Sequence, residues 1–250
     1  MIYEEVIQKH LDPSRPKPQH EDLVDVLLRI QKDTNQAINI SSKQIKGVLV
    51  DMFIAGTDTS AATLVWIMCE LIRNPLVMRR VQVEVREVAK GKLKVEESDL
   101  PRLVYMKAVI KETWRLHPPV PLLVPRETLE ECGVGGYRIP CKTRVLVDAR
   151  LIGKDPKYWE NPNEFQPERF LESSIDYRGK HFEFIPFGVG RRGCPGINFA
   201  VPIVEFALAN LLFRFDWQLT PGEILDMDAE FGLTMIKKIP LCLLATCKSS

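Results

Sequence analysis

The stretch Phe187-Gly188-Val189-Gly190-Arg191-Arg192-Gly193-Cys194-Pro195-Gly196 decides the reading of this chain. It is a glycine-rich loop around one thiol, followed by a long apolar run at 197–215. Cysteine ligates metals as the thiolate. Pro195 suits the first turn of a helix. That would set Cys194 at a helix N-terminus, where unpaired N–H groups and the dipole favour negative charge. Gly190, Gly193 and Gly196 carry no Cβ, so the backbone can turn sharply and press against a flat macrocycle. Arg192 offers a fixed fork for a carboxylate, and Phe187 an aromatic face to shield the sulfur. A lone buried cysteine is normally inert; ten residues arranged in this way predict a thiolate metal site.

Three further stretches carry chemistry. Ala55-Gly56-Thr57-Asp58-Thr59-Ser60 lies inside an apolar segment at 43–73. Ser41 or Ser42 serves as N-cap and Asn74-Pro75 as stop. The predicted helix has about 30 residues and is about 45 Å long. A glycine in its middle costs roughly 1 kcal/mol, and a local rule broken inside an element often marks a functional site. Gly56 opens room beside the helix. Thr59 can bond a carbonyl one turn back or a water in that opening, and Asp58 can relay protons. The alternative is a threonine satisfied by its own helix and a solvent-facing aspartate. Asp51, Asp58 and Glu70 argue against a membrane span, at about 2.5–3.5 kcal/mol for each acid near a bilayer centre.

Glu112-Thr113-Trp114-Arg115 follows apolar positions 103, 106, 109 and 110, with Pro101 where a helix could begin. Glu112 and Arg115 are three apart and share a helix face. By itself that spacing describes a surface ion pair, but Leu116-His117-Pro118-Pro119 ends the helix sharply. Phe165-Gln166-Pro167-Glu168-Arg169-Phe170 is the third stretch.

Taken in chain order, these motifs resemble the signature of the cytochrome P450 family. Val124-Pro125-Arg126 and Pro186-Phe187-Gly188 look most like plant microsomal members. The resemblance implies a mainly α fold with minor β, the carboxy-terminal half of the P450 fold, with 1–250 as one partial domain. It implies heme b with Cys194 as axial thiolate and Phe187, Arg192, Gly196, Arg126, Gly56 and Ala55 against the cofactor. Asp58 and Thr59 would deliver protons from a distal helix. Glu112, Arg115 and Arg169 would form a structural triad, worthwhile only if all its hydrogen bonds are made. Val120 and Leu123 would line the substrate space, with Phe231-Gly232-Leu233-Thr234 a second wall. The implied activity is a heme-thiolate monooxygenase using dioxygen on a small apolar organic substrate, a terpenoid, alkaloid precursor or phenylpropanoid. Electrons would come from NADPH through a separate flavoprotein reductase, since no dinucleotide fingerprint is present. A full-length relative would sit at the endoplasmic reticulum membrane, on its cytosolic face.

The resemblance covers the later half of a family member, so the expected reading is a truncated form without membrane anchor that binds heme weakly or not at all by itself. An inactive or interaction-only product is the alternative. A hydroperoxide-rearranging heme-thiolate enzyme is a third reading, against which the Asp58-Thr59 pair speaks.

The chain has 250 residues, 45% hydrophobic, and a net charge of +1. That is enough for one core, and it gives no global electrostatic case for nucleic acid or a membrane surface. Six cysteines show no CxxC and no zinc spacing. Cys132 and Cys141 could face each other across a hairpin, although reduced thiols fit a cytosol-facing protein better. A Pro-rich loop at 12–20 precedes an amphipathic helix at 21–32. The segment 75–90 reads as a helix whose charged face (Arg79, Arg80, Glu84, Arg86, Glu87) is a solvated surface, with reductase docking the lesser reading. Residues 137–140 and 143–147 predict a hairpin, with Lys142 where the family usually has glycine. Pro202 should bend the helix after the cysteine.

Overall fold

The computed structural model describes residues 2–16, 18–33 and 39–248. The chain divides into two compact units, Met1–Asp58 and Thr59–Ser250. The division falls inside a single helix.

The first unit contains α1 (Ile2–Leu11), α2 (Leu23–Lys32) and the start of α3 (Ser42–Arg73). Asp22 caps α2: its carboxylate accepts from the Val24 and Asp25 amides, and Asp25 accepts from the Asp22 amide in return. Arg15 then binds the Asp25 carboxylate, which fixes the Pro-rich loop to the helix start. Lys17 of that loop lies outside the described residues. Ile7, Val24, Leu28, Ile45 and Leu49 form a small core, bringing one apolar stripe from each helix together.

α3 runs 32 residues. Ser41 is its cap: the Ser41 hydroxyl accepts from the Gln44 amide while the Gln44 side chain accepts from the Ser41 amide. It ends before Asn74-Pro75, because proline disfavours helix in the residue before it. Both α3 and α7 (Ile197–Arg214) are long and apolar enough to cross a membrane by composition. Trp66, Ile67, Met68, Cys69 and Leu71 of α3, and Val201, Val204, Leu208 and Leu212 of α7, are buried in protein core.

The second unit packs α4 (Pro75–Val88), α5 (Val104–Leu116) and α7 around one large core. α5 does not begin at Pro101. That proline sits inside a 3-10 turn, Glu97–Arg102, and α5 starts at Val104. The reason is Glu84 of α4, whose carboxylate accepts from the Tyr105 and Met106 amides at 2.7 and 2.8 Å and supplies the missing cap. Two more of the α4 charges are structural: Arg80 binds Glu168, and Arg86 binds Asp216 and the Phe215 carbonyl.

Four small antiparallel sheets complete the unit. β1 (Arg126–Glu127) pairs with β4 (Arg144–Val145), and β2 (Cys132–Val134) pairs with β3 (Tyr137–Ile139). The expected hairpin between 137–140 and 143–147 is therefore replaced. Gly135 and Gly136, at φ 57° and 84°, close a tight two-residue turn on the other side of β3. Lys142 takes φ 61° in the connection to β4. Cys132 pairs with Ile139, Cys141 donates to the Leu129 carbonyl, and all six cysteines are free. β5 (Phe215–Leu219) pairs with β8 (Leu243–Cys247), and β6 (Ala229–Phe231) with β7 (Met235–Lys237). The short helix α6 (Ala149–Ile152) is capped by Asp148. Pro202 is accommodated within α7.

Candidate functional site

The cysteine loop is held by its own backbone. The Gly188 amide donates to the Ile185 carbonyl, Gly193 to Gly190 and Cys194 to Phe187, each at 2.9 Å. Gly188 and Gly190 adopt φ 68° and 73°, the left-handed region where a Cβ is penalised. A Cβ at Gly188 would also meet Leu123 Cδ1 at 3.6 Å. α7 begins at Ile197 with Gly196 as its cap, and no side chain bonds there. Pro195 thus lies one residue before the cap, outside the first helical turn. Cys194 itself is exposed and free.

Phe187 leaves the loop in the other direction. Its ring meets Trp114 edge-on at 4.9 Å and Tyr177 at 5.5 Å. Trp114 in turn donates from Nε1 to Thr63 Oγ1 at 3.2 Å. The loop is thereby tied to α5 and to the buried part of α3. Sequence reading passed over Trp114 and Tyr177; the aromatic inside the Glu-Thr-Trp-Arg motif was the available signal.

Arg192 is exposed on the loop, and Arg126 reaches its carbonyl from β1 at 3.5 Å. Two guanidinium groups therefore flank the thiol-bearing loop. A macrocycle with acidic side arms needs such partners. The donor set fits a heme: an accessible soft sulfur, arginines for its carboxylates, and open space at Gly190, where an added Cβ would meet nothing within 4 Å.

The charged network belongs to the same unit as the loop. Glu112 and Arg115 bond twice, at 2.7 and 2.8 Å, and Arg169 Nε donates to Glu112 at 3.0 Å. Arg115 also donates to the carbonyls of Gly153, Pro162 and Glu164. The Gln166 amide completes the Glu112 carboxylate. Glu112 and Arg115 are buried, Arg169 is half-buried, and every charge is bonded, the condition under which such a cluster survives desolvation.

Ala55, Gly56 and Asp58 belong to the first unit and Thr59 to the second. Asp58 and Ala55 are exposed, Gly56 and Thr59 half-buried. A Cβ at Gly56 would meet nothing within 4 Å. The Thr57 hydroxyl donates to the Phe53 carbonyl one turn back, at 2.6 Å.

Leu123 turns inward, packed with Ala149 and Ile185. Its φ of 51° is unusual for a bulky residue, and the Val120 carbonyl accepts its amide in a tight turn. Val120 is half-buried, and Leu122 and Val124 present the exposed apolar surface. Phe231 and Leu233 are exposed as well.

The sequence profile described as "Cytochrome P450" matches residues 1–243. "Cytochrome P450 71A9" of Glycine max is 61% identical over 98% of this chain and 50% of its own length. "Strychnine-11-hydroxylase" of Strychnos nux-vomica is 57% identical over 97% of the chain and 48% of its length. "Premnaspirodiene oxygenase" of Hyoscyamus muticus is 50% identical over 90% and 46%. The chain thus spans about half the length of the curated relatives it matches. A zebrafish cytochrome P450 solved with abiraterone is similar in structure, with a TM-score of 0.82 and 31% identity over 99% of this chain and 59% of that one.

Proposed function

The chain belongs to the cytochrome P450 family, and from that premise we propose that it is the heme-thiolate portion of a monooxygenase. The reaction inserts one oxygen atom of dioxygen into a small apolar organic substrate of plant specialised metabolism. When bound, heme b supplies the oxygen-activating chemistry, with its iron held by the Cys194 thiolate. The observation that carries this reading is the exposed thiol on a backbone-clamped glycine loop with Arg126 and Arg192 beside it.

The residues of the chain divide the remaining tasks. Arg126 and Arg192 pair with the cofactor carboxylates, and Phe187 anchors the cofactor-bearing loop against Trp114 and Tyr177. Gly196 keeps the approach to the sulfur open; a Cβ there would stand 3.8 Å from it. Gly56 and Ala55 leave space beside α3. The Thr59 hydroxyl holds a proton, and the Asp58 carboxylate exchanges it with solvent. Val120 and its exposed apolar neighbours exclude water from the substrate. Glu112, Arg115 and Arg169 hold the scaffold and touch no reactant. Electrons come from NADPH through a separate flavoprotein reductase at the cytosolic face of the endoplasmic reticulum.

Titration of the chain with heme in excess, followed by carbon monoxide difference spectroscopy after reduction, tests the reading. Heme in excess offsets the weak binding expected of the chain by itself, so the unmodified chain is expected to give a thiolate-type band, and Cys194→Ser to lose it. An identical spectrum from both overturns the assignment of the ligand.

A further inference from the structure

Behind the two exposed apolar walls lies a clamp made of buried Trp66 and Glu70 and half-buried His117. Trp66 and Glu70 are one helical turn apart on α3, so both face the same side. Between them they grip His117, the first residue after α5. The Trp66 and His117 rings stack at 4.4 Å with an interplanar angle of 1°. His117 Nε2 donates to Glu70 Oε1 at 2.7 Å. Glu70 is held in turn by Asn74, which donates to its carbonyl and its carboxylate.

The same tryptophan reaches the second wall. Trp66 Nε1 donates to the Met235 carbonyl at 3.0 Å. The Met235 amide donates to the Pro119 carbonyl at 2.8 Å. Pro119 leads into the first wall, which is pinned again where the Ala149 amide donates to Pro121. Trp66 is 0%, Glu70 1% and Met235 1% exposed, while Leu122, Val124, Phe231 and Leu233 are 43–68% exposed. Two turns that offer apolar side chains outward are therefore joined at their roots to one rigid helix.

We propose that Trp66, Glu70 and His117 are specificity-positioning residues, fixing the spacing of the 119–124 turn against the 231–235 turn and so the shape offered to an apolar ligand. The proposal rests on the reading of these turns as substrate walls. None of the three touches the ligand. Their chemistry suits a rigid spacer: a buried carboxylate needs a donor, and the imidazole supplies it while filling the face of the indole. Burial holds the His117 pKa down in spite of Glu70, so the ring stays neutral near pH 7.

Trp66→Phe is the decisive variant, because it keeps an aromatic ring on His117 while it deletes the bond to Met235 together with part of the buried ring. Glu70→Gln, which still accepts from His117, is the conservative control. Two readouts separate the outcomes. Amide hydrogen exchange at Met235 is expected to quicken about fivefold in Trp66→Phe, the equivalent of one hydrogen bond, and to stay near the parent value in Glu70→Gln. In the heme-loaded chain, the affinity ratio of a bulky apolar azole to imidazole, read from the Soret shift, is expected to change by a similar factor. The thiolate band should be retained. Unchanged exchange, or equal weakening of both azoles with the thiolate band intact, overturns the clamp. Absence of a thiolate band in the unmodified chain overturns the functional reading beneath it, and the specificity claim falls with it.

Discussion

The charged knot around Glu112 and the loop around Cys194 belong to one compact unit and follow opposite rules. In the knot every charge is answered and its centre is buried: Glu112 is 0% exposed and takes bonds from Arg115, Arg169 and the Gln166 amide. In the loop the functional atom is exposed, and the order comes from backbone bonds and left-handed glycines. Buried charge is stable only when fully paired; a ligand-binding thiol is useful only while accessible. The two regions thus mark the division between what holds the fold and what the fold presents.

The largest test of that division sets Glu112→Ala against Cys194→Ser. Removing Glu112 strands two guanidinium groups, and the expected loss is about 3–5 kcal/mol in denaturant unfolding. Cys194→Ser is expected to change stability by less than about 0.5 kcal/mol. Comparable losses from the two variants would break the comparison. Glycines sharpen it at a smaller scale. A Cβ at Gly153 would stand 2.5 Å from the Arg115 carbonyl oxygen, directly against the knot. Gly153→Ala is expected to cost about 1–3 kcal/mol through steric displacement. Gly190 has open space and pays only for its φ of 73°, so Gly190→Ala is expected at the low end, about 1 kcal/mol. Thermal unfolding of the two variants should rank them in that order.

The knot and the loop were not equally legible in the sequence. α3 was read nearly to its ends because its signals are local: Ser41 caps it and Asn74-Pro75 stops it. Glu112, Arg115 and Arg169 could be named from motifs, and they meet. The start of α5 was misplaced because its cap, Glu84, acts from another helix 21 residues away, where no periodicity reports it. The hairpin was assigned to the wrong strands because the Gly135-Gly136 turn outranks the Lys142 connection, and only backbone angles show which turn closes. Leu123 illustrates the hardest class. An apolar residue between apolar neighbours gives no sign of which one turns inward, and its φ of 51° reverses the simple alternation. Trp66, Met235 and Pro119 are bonded across more than 100 residues, so their clamp had no sequence signature at all.

The smallest effect concerns two histidines with nearly equal partners. His10 stands 2.8 Å from the Asp22 carboxylate and His117 2.7 Å from that of Glu70. The first belongs to the Met1–Asp58 unit and the second to the Thr59–Ser250 unit. For His10, slight burial works against the charged ring, but the Asp22 carboxylate and the Val6 carbonyl outweigh it, and the pKa is raised. For His117, deep burial outweighs Glu70, and the pKa is lowered. Linkage then gives opposite signs. Below about pH 6.5 the unfolded chain takes up a proton that folded His117 resists, so acid erodes the second unit. The His10 contribution is complete below that pH and fades as pH rises through its raised pKa. Each slope is bounded by one proton, about 1.4 kcal/mol per pH unit. All four tryptophans lie in the second unit, so indole fluorescence during unfolding reports it alone, while amide exchange in α1 and α2 reports the first. His117→Gln is expected to flatten the acid limb of the fluorescence series, and His10→Gln the neutral limb of the exchange series. Matching pH slopes in the two units would mean that the partner, and not the depth of burial, sets the sign.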